Sequence, residues 1–156
     1  MKTRAPMTRL LTATGSALLA FAALPALAIE PFSATYQANY MGMRAQANMD
    51  LAQEGNNRWK YGLQVAGAGA RLEQTTTFEA NGEQWRPVSS SDSQRGESGL
   101  AAMLMKNREL NTTYDWNAGE ARFAGDVREG QSGPVKLQAG DLDGMLMNLV
   151  LVRDVQ

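Results

Sequence analysis

The chain has 156 residues, 44% of them apolar and 20% charged, with no Cys and no His. That length is one domain's worth of chain, enough to bury a real core. Zero Cys excludes a disulfide framework, a thiol nucleophile, a Cys metal site and an acylated lipoprotein start. Zero His removes the commonest general base, the usual triads and imidazole metal ligands.

Met1 to Arg9 carries Lys2, Arg4 and Arg9 and no acid. Leu10 to Leu24 is apolar and Ala-rich, and Ala26-Leu27-Ala28 is a small-x-small site. These features predict a secretory signal peptide over 1–28, cleaved before Ile29. The apolar run is too short for a comfortable membrane span, so no stable membrane anchor is expected. The signal resembles a bacterial one, which places the protein in the periplasm. Loss of Lys2, Arg4 and Arg9 takes the 15 basic residues to 12 against 16 acidic ones, a net charge of −4 for the mature chain. A mildly acidic surface with no basic run argues against nucleic acid and against attachment to anionic lipid.

Phe32, Ala34, Tyr36, Ala38 and Tyr40 alternate with polar residues up to Gly42. Met43, Ala45, Ala47, Met49 and Leu51 repeat the alternation beyond it. Period two on both sides of a glycine predicts two half-buried strands in a hairpin. After Gly55-Asn56-Asn57, Trp59, Tyr61, Leu63 and Val65 mark a third strand. Gly67-Ala68-Gly69 leads to a fourth, Arg71 to Ala80, in which Leu72, Phe78 and Ala80 share a face.

Asn81-Gly82 is the strongest hairpin signal in the chain and predicts a type I′ turn. A two-residue turn there sets Phe78 opposite Trp85, places Glu79 and Arg86 diagonally, and puts Pro87 opposite Thr76. Proline has no N–H for the ladder, so the pairing must break or bulge at Pro87, or Pro87 must lie on an edge.

Ser89 to Gly99 is polar and rich in Ser and Gly, and reads as a mobile loop or a strand end running into one. Leu100 to Met105 is too short to classify. Asn107 to Trp116 reads as strand, Asn117-Ala118-Gly119 as turn, Glu120 to Gly125 as the return strand, and Val127 to Pro134 as loop. Asp141 or Asp143 can cap a final helix in which Met145 to Val152 is apolar nearly all round. Such a helix is buried on most faces. The predicted fold is mainly β: a curved antiparallel meander, or partial barrel, with this helix on the concave face against Phe32, Tyr36, Ala45 and Ala47. The chain stops at Gln156 directly after the helix, so further strands are expected beyond the single domain 29–156.

Four motifs resemble the exported bacterial family known as domain of unknown function 3108. They are the Tyr-rich strand Tyr36 to Gly42, the Gly82…Pro87 spacing, Tyr114-Asp115-Trp116, and Ala139-Gly140-Asp141-Leu142-Asp143 before the helix. The chain departs where members often carry a Ser soon after the helix-opening Asp; here the helix begins Gly144-Met145-Leu146. The resemblance implies an envelope protein with a curved sheet and further strands, and it implies no activity.

Chemistry in this chain would rest on carboxylates, with Asp115, Asp141 and Asp143 as candidates. Capping and turn-making account for all three. A calcium loop is not formed, because Asp-x-Asp-Gly lacks its bidentate Glu. Gly67-Ala68-Gly69 lacks the following Gly and helix of a phosphate loop. Methionine is abundant, nine in the chain, and packs adaptably at promiscuous apolar surfaces. The expected function is a non-enzymatic binding or carrier module for an apolar or lipid-like envelope molecule, needing no cofactor and no metal. Its expected site is the inner face: Tyr36, Met43, Met49, Phe78, Trp85, Met145 and Leu149. The alternatives are an interaction protein that pairs a sheet edge with an envelope partner, and a carboxylate-dependent hydrolase.

Overall fold

The structure, a computed structural model, describes residues 29–40 and 42–154. The expected signal peptide over 1–28 with its expected cleavage point, Met41, and residues 155–156 lie outside the described residues. The elements in chain order are β1 (Phe32–Tyr40), β2 (Met43–Gln53), β3 (Arg58–Gly67), β4 (Ala70–Asn81), β5 (Gln84–Gly96), α1 (Gly99–Leu104), β6 (Arg108–Asp115), β7 (Glu120–Gly125), β8 (Val135–Lys136) and α2 (Gly144–Asp154). The strands form one antiparallel sheet in the order β1 to β8, each paired with its chain neighbour, and the sheet is not closed into a barrel. Short connections between period-two segments make this meander the simplest solution.

Register fixes which residues share a face. One row across the sheet runs Phe32, Leu51, Tyr61, Thr76, Ser90, Thr112, Phe123. The next runs Ala34, Met49, Leu63, Gln74, Asp92, Leu110, Gly125. These rows lie on the face that bears α2, because Leu51, Trp59, Tyr61, Phe78, Trp85 and Leu146 form one buried cluster. The other face is polar and carries cross-strand ion pairs such as Arg58–Glu79 at 2.8 Å.

The hairpin at Gly82 forms one residue later than expected. Asn81 pairs with Gln84, so the turn residues are Gly82 and Glu83. Only Gly82 has positive φ, at 61°, the pattern of a type II′ turn rather than I′. Phe78 therefore faces Pro87, Glu79 faces Arg86 directly, and Ala80 faces Trp85. Both strands shift together, so Phe78 and Trp85 stay on one face, with ring centroids 5.3 Å apart. The ladder bulges between Thr77 and Phe78, where Val88 is the extra residue and Pro87 cannot donate. Pro87 lies in an interior strand, and its carbonyl accepts from Trp116 Nε1 at 2.7 Å.

Ser89 to Gly96 is not a loop. It is the second half of β5, paired with β4 along its length and with β6 over Ser89 to Gln94. Neighbours on both edges satisfy its backbone, which outweighs a Ser-rich composition with low strand preference. Leu100 to Leu104 falls within the short helix α1.

Asp143 caps α2, its Oδ1 accepting from Leu146 N–H at 2.7 Å. Asp141 instead closes the preceding turn by accepting from Gln138 N–H at 2.7 Å. The helix is buried on one side rather than most. Leu146 is fully buried and Met145, Leu149 and Val150 pack on the cluster, whereas Met147, Leu151 and Val152 are about half exposed. It sits over β4 and the Trp85 hairpin, not over Tyr36, Ala45 and Ala47. Arg153 adds to this contact: its guanidinium lies 4.8 Å from the Trp85 ring centroid and donates to the Glu83 carbonyl at 3.0 Å. The bulky anchors Trp59, Phe78 and Trp85 offer the larger apolar surface, so the helix docks there rather than on the Ala-rich strands.

Candidate binding site

The expected site residues separate into two groups. Phe78 and Trp85 are buried in the core, with Met49, Met145 and Leu149 packed against it. Tyr36 and Met43 lie on the same face but beyond the helix, 56% and 52% exposed. Leu72 on β4, in the same cross-strand row as Tyr36, is also exposed. The Tyr61 hydroxyl meets Met49 Sδ at 3.0 Å, and burial raises its pKa above the usual phenol value. Met49 thus has a packing partner already.

A larger cavity than any formed by the expected residues lies elsewhere on that face. It measures about 630 Å³ and is walled by β6, β7, β8 and the 127–134 loop. That volume is within the range of small-molecule sites. Its apolar lining is Leu110, Phe123, Val127 and Val135, and its charged lining is Arg108 and Arg128. Both guanidiniums are exposed, and among the described residues neither meets a carboxylate. None of the seven residues expected from sequence lines it.

The loop over this cavity is pinned by β6. Glu109 N–H donates to Asp126 Oδ2 at 2.8 Å, and Asp126 N–H donates to the Glu109 carbonyl at 2.7 Å. Between them sits Gly125 at φ 94°, where a Cβ would run into the Glu109 carbonyl. Only glycine allows that approach. Gln131 N–H then donates to the Arg128 carbonyl at 3.0 Å, closing the turn that carries Arg128.

A second cleft, about 400 Å³, lies between the start of α2 and β4–β6 and shares Leu110 with the first. Its lining is hydrogen-bonding and acidic: Gln74, Thr76, Ser90, Asp92, Thr112 and Asp143. Gln74 Nε2 donates to Asp92 Oδ2 at 2.9 Å. Burial raises the Asp143 pKa, opposed by the Leu146 and Met145 N–H groups and by the nearby Thr76 hydroxyl. Thr76 Oγ1 and Asp143 Oδ2 are nevertheless both buried without completing a well-formed hydrogen bond. Burial also raises Tyr114, with the Asp143 charge adding to it.

The three candidate carboxylates each hold backbone. Asp115 Oδ1 accepts from Asn117 and Ala118 N–H at 3.0 and 2.9 Å, and Asp141 and Asp143 serve as described above. Compared with protein families, curated proteins and solved structures, the chain matches none of them.

Sequence reasoning passed over Arg108, Phe123, Val127, Arg128 and Val135. Phe123 carries a signal, since it alternates with Ala121 on one face of β7. The others carry none: Arg108 opens a strand, and the loop residues reach the cavity only by folding back over it.

Proposed function

We propose that the protein is a periplasmic binding or carrier module for an apolar, lipid-like molecule, exported by its signal peptide. The reading includes membership of the family that the Tyr114-Asp115-Trp116 and Ala139 to Asp143 motifs resemble. The observation that carries it is the open cavity floored by Leu110, Phe123, Val127 and Val135. Apolar lining with a few placed polar groups is the usual make-up of a small-molecule site. Calorimetric titration of the mature chain with long-chain alcohols and carboxylates tests the reading. Binding that Phe123→Asp abolishes is expected, because the substitution sets a charge on the floor. Failure of every such probe to bind would remove the proposal.

A second reading, self-association through a sheet edge, is favoured by β1. At the far edge, β8 is two residues long, follows Pro134 and carries Lys136, the features that discourage edge pairing. The nine residues of β1 include no charge and no proline, and among the described residues its outer edge has no partner strand. Two copies paired antiparallel about Tyr36 would set Ala34 against Ala38 and Thr35 against Gln37, with no like charges opposed.

A further inference from the structure

We propose that the cavity takes an anionic amphiphile, a single apolar chain ending in a carboxylate or phosphate, whose head is received by Arg108 and Arg128. The inference rests on reading the cavity as a ligand site. Two arginines that line one cavity, Arg108 from β6 and Arg128 from the 127–134 loop, with no carboxylate partner among the described residues, are a receptor for such a head. Each offers a planar fork of donors that matches carboxylate or phosphate oxygens. The mature chain is otherwise acidic, so an anion is repelled by most of the surface and favoured here.

The same face also sets the direction of binding. At the α2 end the cleft carries Asp92 and Asp143 and no Lys or Arg among its lining residues. An anionic head is excluded there and held at the arginine end. The chain then lies across Phe123 and Leu110 within the cavity, against Val127 and Val135. The pinning of Asp126 to Glu109 fixes the loop that carries Arg128, so the receptor is largely formed before the guest arrives.

The test is titration of the mature chain with dodecanol, dodecanoate and dodecyl phosphate, which share one chain and differ in the head. At low salt at least one anion is expected to bind about tenfold tighter than the alcohol, the order of a charge-assisted contact. The tighter anion identifies the head. Raising the salt concentration should erode the preference, since both guanidiniums are solvent-exposed. In Arg108→Gln/Arg128→Gln the anion preference should disappear while dodecanol binding persists. An alcohol that binds as tightly as both anions overturns the anionic head and leaves the carrier reading standing. Absence of binding by all three overturns the carrier reading itself. The salt dependence and the alcohol comparison need only the unsubstituted chain, so they decide the question even if the double variant fails to fold.

Discussion

Glu109 and Asp126 hold each other twice: the Glu109 N–H reaches the Asp126 carboxylate at 2.8 Å, and the Asp126 N–H reaches the Glu109 carbonyl at 2.7 Å. Asp126→Ala removes the first bond and leaves an exposed N–H that water can satisfy. The stability loss should be modest, ~0.5–1.5 kcal/mol. The larger effect is expected on ligand affinity, because the loop carrying Val127 and Arg128 loses its anchor. Denaturant unfolding and calorimetric titration of the same sample separate the two. Unchanged affinity would show that the loop does not shape the site.

The helix contributes unequally by face. Trp85→Ala should cost ~3 kcal/mol or more, since the ring is buried against Phe78 and under the Arg153 guanidinium. Leu149→Asp should unfold the domain, because Leu149 packs on the core cluster and a carboxylate there has no partner. Leu151→Ala, on the exposed side, should fall within ~0.5 kcal/mol of the parent. Midpoints of urea unfolding give all three comparisons. A Leu151→Ala loss as large as that of Trp85→Ala would contradict the one-sided docking.

Asp143 should make stability depend on pH in the unusual direction. Its folded pKa is raised by burial, so its favourable contribution is full below the ordinary carboxylate pKa. That contribution is lost as pH rises through the folded value. Asp143→Asn keeps the cap, since Asn and Asp serve equally well, and removes the buried charge. It should be at least as stable as the parent at neutral pH and should flatten the pH slope above the ordinary carboxylate value. Asp143→Ala should cost ~0.5–2 kcal/mol through loss of the cap. Thermal melting across a pH series checks both, and a parent that gains stability through Asp143 as pH rises would reverse the sign.

Pairing through β1 is open to a covalent test, because the chain contains no cysteine. Residues facing each other in an antiparallel pair have Cα atoms ~4.5–5.5 Å apart, inside the range that a disulfide spans. Under mild oxidation, Tyr36→Cys should cross-link to a dimer. Thr35→Cys alone should not, since residue 35 would face residue 37 of the second copy. A mixture of Thr35→Cys and Gln37→Cys chains should cross-link. Monomeric mass for the unsubstituted chain in sedimentation, with no selective cross-linking, would remove the dimer.

Local chemistry determined the elements. Alternation marked β1 to β4, the turn at Asn117–Gly119 separated β6 from β7, and Gly69 and Gly119 take the positive φ that glycine tolerates. The Asp143 cap and the apolar segment behind it marked α2. These are short-range effects, in which each residue's preference is expressed whatever the rest of the chain does.

The tertiary structure decided what pairing and docking decide. Ser89 to Gly96 is a strand only because β4 and β6 flank it, and the one-residue shift at Gly82 follows from how Trp85, Pro87 and Phe78 pack together. The side of α2 that is buried was set by the large rings of Trp59, Phe78 and Trp85, not by the helix, which is apolar almost all round. Arg108 and Arg128 stand far apart from Phe123 and Val135 in any pattern that a linear reading detects. They line one cavity because β6, β7 and β8 lie side by side and the Asp126–Glu109 pair folds the 127–134 loop across them.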